Sequence, residues 1–270
     1  MNITFIGGGN MADALVGGVL KKGFDAKALR VVEISPEQRD KLASKYGVAC
    51  FAKAADAIRS GDVVVLAVKP QQLREAAGKA GLARNENLVI SIAAGVRLTS
   101  ISRWLGGHTR LVRAMPNTPA LIGEGITGLY PLSADVSAED RRRAETILGA
   151  VGMTVWIDQE SQMDAVTAIS GSGPAYVFYF IEAVQEAARE LGLPVEVAQR
   201  LALHTFTGAA RLAASSPDPV SVLRERVTSK GGTTEAALAS MAGDHVKEAI
   251  ARAIRAANER GRQLGEQLDN

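Results

Sequence analysis

The chain has 270 residues, 47% hydrophobic and 22% charged, a balance that fits a folded globular protein and excludes a disordered one. Lys and Arg number 31 against 29 Asp and Glu, leaving a net charge of +2; with no run of five basic residues, a nucleic-acid partner is not expected. Cys50 is the only cysteine, which rules out an intrachain disulfide, and His108, His204 and His245 stand too far apart to suggest a metal site.

The longest strongly apolar run, residues 174–181, is well short of the roughly 18 residues that a membrane span requires, so no membrane partner is expected. Met1 leads directly into a strand-like segment without a signal-peptide pattern, and a cytoplasmic location follows as the expectation.

The first ~160 residues alternate short β-branched runs with helix-period segments. Residues 2–6, 29–34, 62–68, 87–92 and 110–115 read as strands. Their nearly continuous apolar character suits a parallel sheet covered on both faces. Between the first two, Ala12, Leu15, Val16, Val19 and Leu20 follow the spacing of an amphipathic helix. Strand–helix alternation of this kind predicts a doubly wound α/β domain.

After the first strand comes Gly7-Gly8-Gly9-Asn10-Met11-Ala12, a G-x-G-x-x-A fingerprint between a strand and a helix. In that setting Gly7 permits a tight turn, Gly9 admits a pyrophosphate to the backbone, and Ala12 is small enough for helix–strand packing. No Gly-Lys-Ser/Thr follows, which sets aside a P-loop. Glu33, about 20 residues on, is placed to bind a ribose 2′-hydroxyl and to repel a 2′-phosphate. Ser35 and Arg39 lie just beyond and suit a phosphate instead, so the residues leave NADH and NADPH both open.

Two later strand ends carry Ala67-Val68-Lys69-Pro70 and Met115-Pro116-Asn117-Thr118-Pro119. Open α/β sheets bind ligands beyond the carboxyl ends of their strands, and each proline biases its predecessor toward a rigid extended loop. Lys69 and Asn117 are therefore candidate cofactor contacts, against the simpler alternative of polar loop residues at a strand stop. A last α/β piece follows, with strands over residues 125–130 and 153–157 and a helix over 137–151.

From about residue 160 the strand signal ends, and residues 174–191, 195–214, 219–226, 234–242 and 245–268 read as helices. Residues 174–181 are apolar all round and predict a helix buried on every side. In 245–268, Val246, Ile250, Ile254, Ala257, Leu264 and Leu268 form a stripe. So much helix with little core of its own predicts burial against a second copy of the chain, against the simpler alternative of docking only on the first domain. Ile169 to Pro174 reads as a helix start with Pro174 in the first turn, since Ser170 stands where a serine-hydrolase elbow needs glycine. Residues 227–238, VTSKGGTTEAAL, place Gly231-Gly232 and Thr233-Thr234 at a helix N-terminus, which suits either a self-capped turn or a small anion.

The segments IGGGNMA, LAVKPQ, SIAAGV, MPNTP, ISGSGPAY and VTSKGGTTEAAL, in this order and spacing, resemble the Δ1-pyrroline-5-carboxylate reductases over essentially the full chain. The resemblance implies an N-terminal Rossmann-like domain with a doubly wound, mainly parallel sheet over residues 1–160. An all-α C-terminal domain for substrate binding and dimerisation over 161–270 would follow, with dimers assembling five to a ring. It implies reduction of the cyclic imine pyrroline-5-carboxylate to L-proline with NADPH, NADH also being accepted. Glu33-Ile34 stands where the family often has small polar residues, which argues against strict preference for NADPH.

Carried onto this sequence, the resemblance gives Ile6, Gly7, Gly8, Gly9, Asn10, Met11, Glu33, Ser35, Ala67, Val68, Lys69, Pro70, Ala94 and Asn117 as cofactor-binding residues. Gly231, Gly232 and Thr233 would present N–H groups to the substrate carboxylate, with Ser229 adding a hydroxyl, and Thr234 would reach the ring nitrogen as the catalytic residue. A protonated imine is already electrophilic, so no His–Asp acid pair is required.

Two rival readings carry different tests. A β-hydroxyacid dehydrogenase resembles this layout but places a lysine on the helix opening the second domain, and residues 174–181 contain none. A non-catalytic dinucleotide sensor would share the fold without the Gly-Gly-Thr-Thr turn.

Overall fold

The computed structural model describes residues 1–82 and 86–269. One eight-stranded sheet runs through the N-terminal half: β1 (Ile3–Ile6), β2 (Leu29–Val32), β3 (Ala49–Phe51), β4 (Val63–Leu66), β5 (Leu88–Ser91), β6 (Leu111–Met115), β7 (Gly125–Pro131) and β8 (Gly152–Trp156). Their order is β3-β2-β1-β4-β5-β6-β7-β8. All neighbours pair parallel except β6 and β7, which are antiparallel. Only a short helical turn, Thr118–Ile122, separates those two, too little chain for a parallel crossover.

The sheet is doubly wound, as its apolar strands predict. Along β4, Val63 and Val65 face one core layer while Val64 and Leu66 face the other. The first layer is completed by α1 (Asn10–Lys21) and α6 (Ala138–Leu148), through Leu15, Val16, Val19, Ile147 and Leu148. The second is completed by α4 (Pro70–Lys79) and α5 (Leu98–Trp104), through Leu73, Ala77, Leu98 and Ile101. Each fully buried Val, Leu or Ile contributes about 1.5–3 kcal/mol relative to exposure, so these layers fix the carboxyl edge of the sheet firmly. Strand β3 was not expected from the sequence: three residues, Ala49, Cys50 and Phe51, are too few to show a period.

Two further helices, α2 (Pro36–Tyr46) and α3 (Ala54–Ala57), flank β3 in the chain. Ser35 caps α2 by accepting the Gln38 N–H at 3.3 Å, and Gly47 ends it in the left-handed conformation.

The chain forms two compact units, residues 1–172 with 257–270, and residues 173–256. In the first, α7 (Gln162–Val166) runs into a π-helical turn, Thr167–Gly171, rather than the clean helix start expected before Pro174. Proline has no N–H, so Ser170 lacks its usual donor four residues on. Its carbonyl accepts instead from Asn117 Nδ2 at 3.2 Å.

In the second unit, α8 (Gly173–Glu190) and α9 (Val195–Ser215) pack together, followed by α10 (Val220–Arg226), α11 (Thr233–Gly243) and α12 (Val246–Leu268), which ends in the first unit. Here one expectation fails: α8 is not buried on every side, for Phe178 is 66% and Tyr179 69% exposed. The physical reason is that one copy offers too little cover; α8, α10 and α11 hold no buried residue. The stripe read on α12 also shifts at its end. Gly261 and Gly265 are buried while Leu264 is exposed. A Cβ on Gly265 would lie 2.9 Å from the Gly95 carbonyl oxygen, so backbone contact replaces side-chain packing there.

Candidate cofactor and substrate-anion sites

Strand order reverses at β1, which has β2 on one side and β4 on the other. At such a switch point the flanking loops separate and leave a crevice. Ile6 is level with Val32 and with Leu66, and Val32 with Phe51, so Gly7, Glu33, Ala67 and Ala52 emerge side by side. The first turn is tight: Gly7 donates its N–H to the Val32 carbonyl at 2.8 Å and holds φ +104°. A Cβ there would lie 2.7 Å from the Ala67 carbonyl oxygen, so both conformation and space demand glycine.

Gly9 differs in kind. A Cβ on it would meet nothing within 4 Å, so its smallness serves no internal packing. It precedes α1 without any side-chain cap, leaving first-turn N–H groups facing outward at the positive end of the helix dipole. Ala12 is buried, as the fingerprint requires. This cradle fits a dinucleotide pyrophosphate.

Glu33 is bound more closely to the protein than the sequence suggests. Its two carboxylate oxygens accept the Gly8 N–H at 2.8 Å and the Ser35 N–H at 2.9 Å. Gln38, which the sequence reading did not single out, donates its side-chain amide to the Gly8 carbonyl at 2.7 Å. The Gly8 peptide is thus clamped from both ends by the segment after β2. Arg39 donates to the Glu33 and Ile34 carbonyls at 2.7 and 3.0 Å, so its guanidinium shapes this loop.

The crevice has a volume of about 560 Å3 and is lined by Ile6, Gly7, Glu33, Ile34, Lys53 and Val68, among others. Lys69 and Pro70 open α4, Ala94 follows β5, and Asn117 follows β6. The sheet's carboxyl edge therefore collects the cofactor candidates from Ile6 to Asn117. Asn117 uses both ends of its side-chain amide within the protein. Besides donating to Ser170, its Oδ1 accepts the Ile126 N–H at 2.9 Å, so it ties β7 and the π turn to the end of β6.

Cys50 is half-buried on β3, where burial pushes its thiol up, which disfavours the reactive thiolate. His108 is buried and bonded to the Asn87 carbonyl at 2.9 Å, a structural position.

In the second unit, the turn before α11 has its own logic. Gly231 holds φ +72°, a conformation that side chains disfavour. Its N–H goes to the Glu235 carboxylate at 2.6 Å, and the Gly232 N–H goes to the Ser229 carbonyl at 3.0 Å. Both glycine amides expected from the sequence to meet the substrate carboxylate are thus donated inside the protein. The next ones are not: α11 has no side-chain cap, and the N–H groups of Thr233 and Thr234 have no acceptor among the described residues. The hydroxyls of Ser229, Thr233 and Thr234 make no hydrogen bond there either, so the turn exposes three hydroxyls beside free amides.

A glycine turn at the switch point of a doubly wound sheet, opening an uncapped helix, defines a Rossmann-type dinucleotide-binding protein. Comparison with known proteins narrows the class. Residues 2–95 match the family model "NADP oxidoreductase coenzyme F420-dependent", and residues 160–264 match "Pyrroline-5-carboxylate reductase dimerisation". A pyrroline-5-carboxylate reductase of Pseudomonas aeruginosa is 45% identical over 98% of this chain and 97% of its own. The structure of a pyrroline-5-carboxylate reductase from Coxiella burnetii superposes with a TM-score of 0.92 at 41% identity, covering 97% of this chain and 98% of that one. A Plasmodium falciparum pyrroline carboxylate reductase, solved with NADP bound, superposes with a TM-score of 0.86 at 29% identity over 98% of each chain. The chain belongs to the pyrroline-5-carboxylate reductase family and is an oxidoreductase. Among its described residues no helix is long and apolar enough to cross a membrane.

Proposed function

We propose that the chain performs the reaction of its family, reducing Δ1-pyrroline-5-carboxylate to L-proline, with the dinucleotide on the first unit and the substrate carboxylate at the start of α11. The observation that carries the reading is the pair of uncapped helix N-termini, one behind Gly9 and one behind Gly232, each presenting N–H groups suited to an anion. A pyrophosphate and a carboxylate are the two anions that the reaction brings.

When bound, the reduced nicotinamide supplies the hydride. The protein supplies position and polarity. Ile6 to Met11 hold the pyrophosphate, Glu33 and Ser35 bound the adenosine ribose, and Ala67 to Pro70, Ala94 and Asn117 line the remainder of the dinucleotide path. In the turn before α11, the N–H groups of Thr233 and Thr234 and the Ser229 hydroxyl take the carboxylate. Gly231 and Gly232 serve by shaping that turn. Thr234 directs its hydroxyl to the ring nitrogen, fixing the imine and stabilising the developing amine.

NADPH is the proposed cofactor, with NADH also accepted. The residue ranges 1–160 and 161–270 are proposed as the dinucleotide-binding and the substrate-binding, dimerising parts. A second copy covers the exposed face of α8, and five dimers form the complete assembly, in the cytoplasm. Loss of NADPH absorbance on adding pyrroline-5-carboxylate to the purified protein, with proline as product, tests the reading. Cofactor binding without turnover, or turnover of 3-hydroxyacids in place of the imine, would overturn it.

A further inference from the structure

The cleft beside β1 has four charged side chains on its wall: Glu33, Lys53, Glu75 and Lys79. Glu75 and Lys79 form an exposed ion pair one helical turn apart on α4 and neutralise one another. Glu33 has both oxygens on backbone N–H groups at the place where a ribose 2′-substituent is read. Lys53 alone of the four has no hydrogen bond or ion pair among the described residues.

Its position follows from the sheet. Val32 and Phe51 are level partners, and Glu33 donates its N–H to the Phe51 carbonyl at 2.9 Å. Two residues past Phe51, Lys53 therefore reaches the cleft beside Glu33 and Ile34. The other candidate phosphate ligands near this point are partly engaged: the Ser35 hydroxyl oxygen caps α2, and one terminal nitrogen of Arg39 is bonded to two loop carbonyls.

We propose that Lys53 is the residue that reads the 2′-phosphate of NADPH in this chain, offsetting the repulsion by Glu33 and so allowing both dinucleotides to bind. The proposal rests on the placement of the dinucleotide in this cleft. A lysine suits the task because its ammonium is a compact point charge on a flexible stem and needs no fixed fork geometry.

The test is direct titration of NADPH and NADH, without substrate, against wild type, Lys53→Gln, Lys53→Arg and Gly9→Val. Lys53→Gln should weaken NADPH about tenfold, the size of one charge-assisted hydrogen bond, and NADH by less than about twofold. It should also flatten the salt dependence of NADPH binding, whereas Lys53→Arg should preserve it. Gly9→Val, whose Cβ would meet no protein atom within 4 Å, should weaken both dinucleotides strongly. Equal effects of Lys53→Gln on the two, or none, with Gly9→Val still damaging both, would overturn the Lys53 assignment alone. If Gly9→Val leaves both affinities intact, the cleft is not the dinucleotide site and both readings fall.

Discussion

Gly231 gives its backbone N–H to the Glu235 carboxylate at 2.6 Å, so the turn before α11 already holds one anion of its own. The side chain reaches back from the third helical residue, and the neighbouring N–H groups of Thr233 and Thr234 are left for another. A second carboxylate placed there sits close to the first. Glu235→Gln keeps an acceptor for Gly231 but removes the charge, and should lower KM for pyrroline-5-carboxylate about two- to fivefold, the range for nearby charges in a wet site. The expected change is in KM and in the Kd for proline, with kcat held; a rise in KM would show that the carboxylate helps substrate bind.

Thr234 is half-buried, and its hydroxyl has no protein partner among the described residues. Thr234→Ala should cost about 1–3 kcal/mol in kcat/KM, the loss of one hydrogen bond in a polar site. Thr234→Ser should recover most of it, because the hydroxyl returns without the methyl. Unchanged kcat/KM in the alanine variant would remove Thr234 from the chemistry.

Much of this was legible in the sequence wherever one feature dominates a position. Gly7 and Ala12 each meet the demand read from the fingerprint, because a tight turn and a packed helix admit few alternatives. The doubly wound sheet was equally plain from its apolar strands. Less legible was what side chains do with spare hydrogen-bonding capacity. That Glu33 would turn back to Gly8 depends on the level pairing of β1 and β2, and that Glu235 would hold Gly231 depends on φ +72° at that glycine. Lys53 escaped notice because three-residue β3, which aims it, has no periodic signal.

Those backbone bonds give Glu33 two functions that one substitution separates. Glu33→Ser removes the acceptor for the Gly8 and Ser35 N–H groups, and should reduce stability by about 1–2 kcal/mol. It also removes the charge facing a 2′-phosphate, so the ratio of kcat/KM for NADPH over NADH should rise. Initial rates with each dinucleotide, beside a thermal melt, measure the two effects. A lower Tm with an unchanged ratio would mean that Glu33 acts on the loop alone.

Asn117 is predicted to matter more for stability than for cofactor affinity. Its amide joins Ile126 at the start of β7 to Ser170 in the π turn, and it is only 9% exposed. Asn117→Ala leaves a part-buried N–H and a part-buried carbonyl without their protein partner, at a cost of about 1–3 kcal/mol at most. The melt should shift well below wild type while the Kd for NADPH changes little. The reverse pattern, intact stability with weakened NADPH, would restore Asn117 to direct cofactor contact.

Asp140 makes stability depend on acid. Burial pushes its carboxyl up, but the Arg110 guanidinium at 2.8 Å and the Ser137 hydroxyl outweigh that, and the group is held below the usual carboxylate range. A depressed folded pKa means the unfolded chain takes up the proton first. The stabilisation is therefore complete above the unfolded value of about 3.9 and is lost as pH falls through that value toward the lower folded one. Asp140→Asn removes the charge while keeping the size, and should lower stability at neutral pH by about 1–3 kcal/mol. Its difference from wild type should shrink as pH drops below about 4 and close only below the lower folded value, where both chains carry a neutral group. Urea unfolding across that range measures the convergence, and a gap that stays constant with pH would assign the loss to packing in the capping box of α6 rather than to the Arg110 pair.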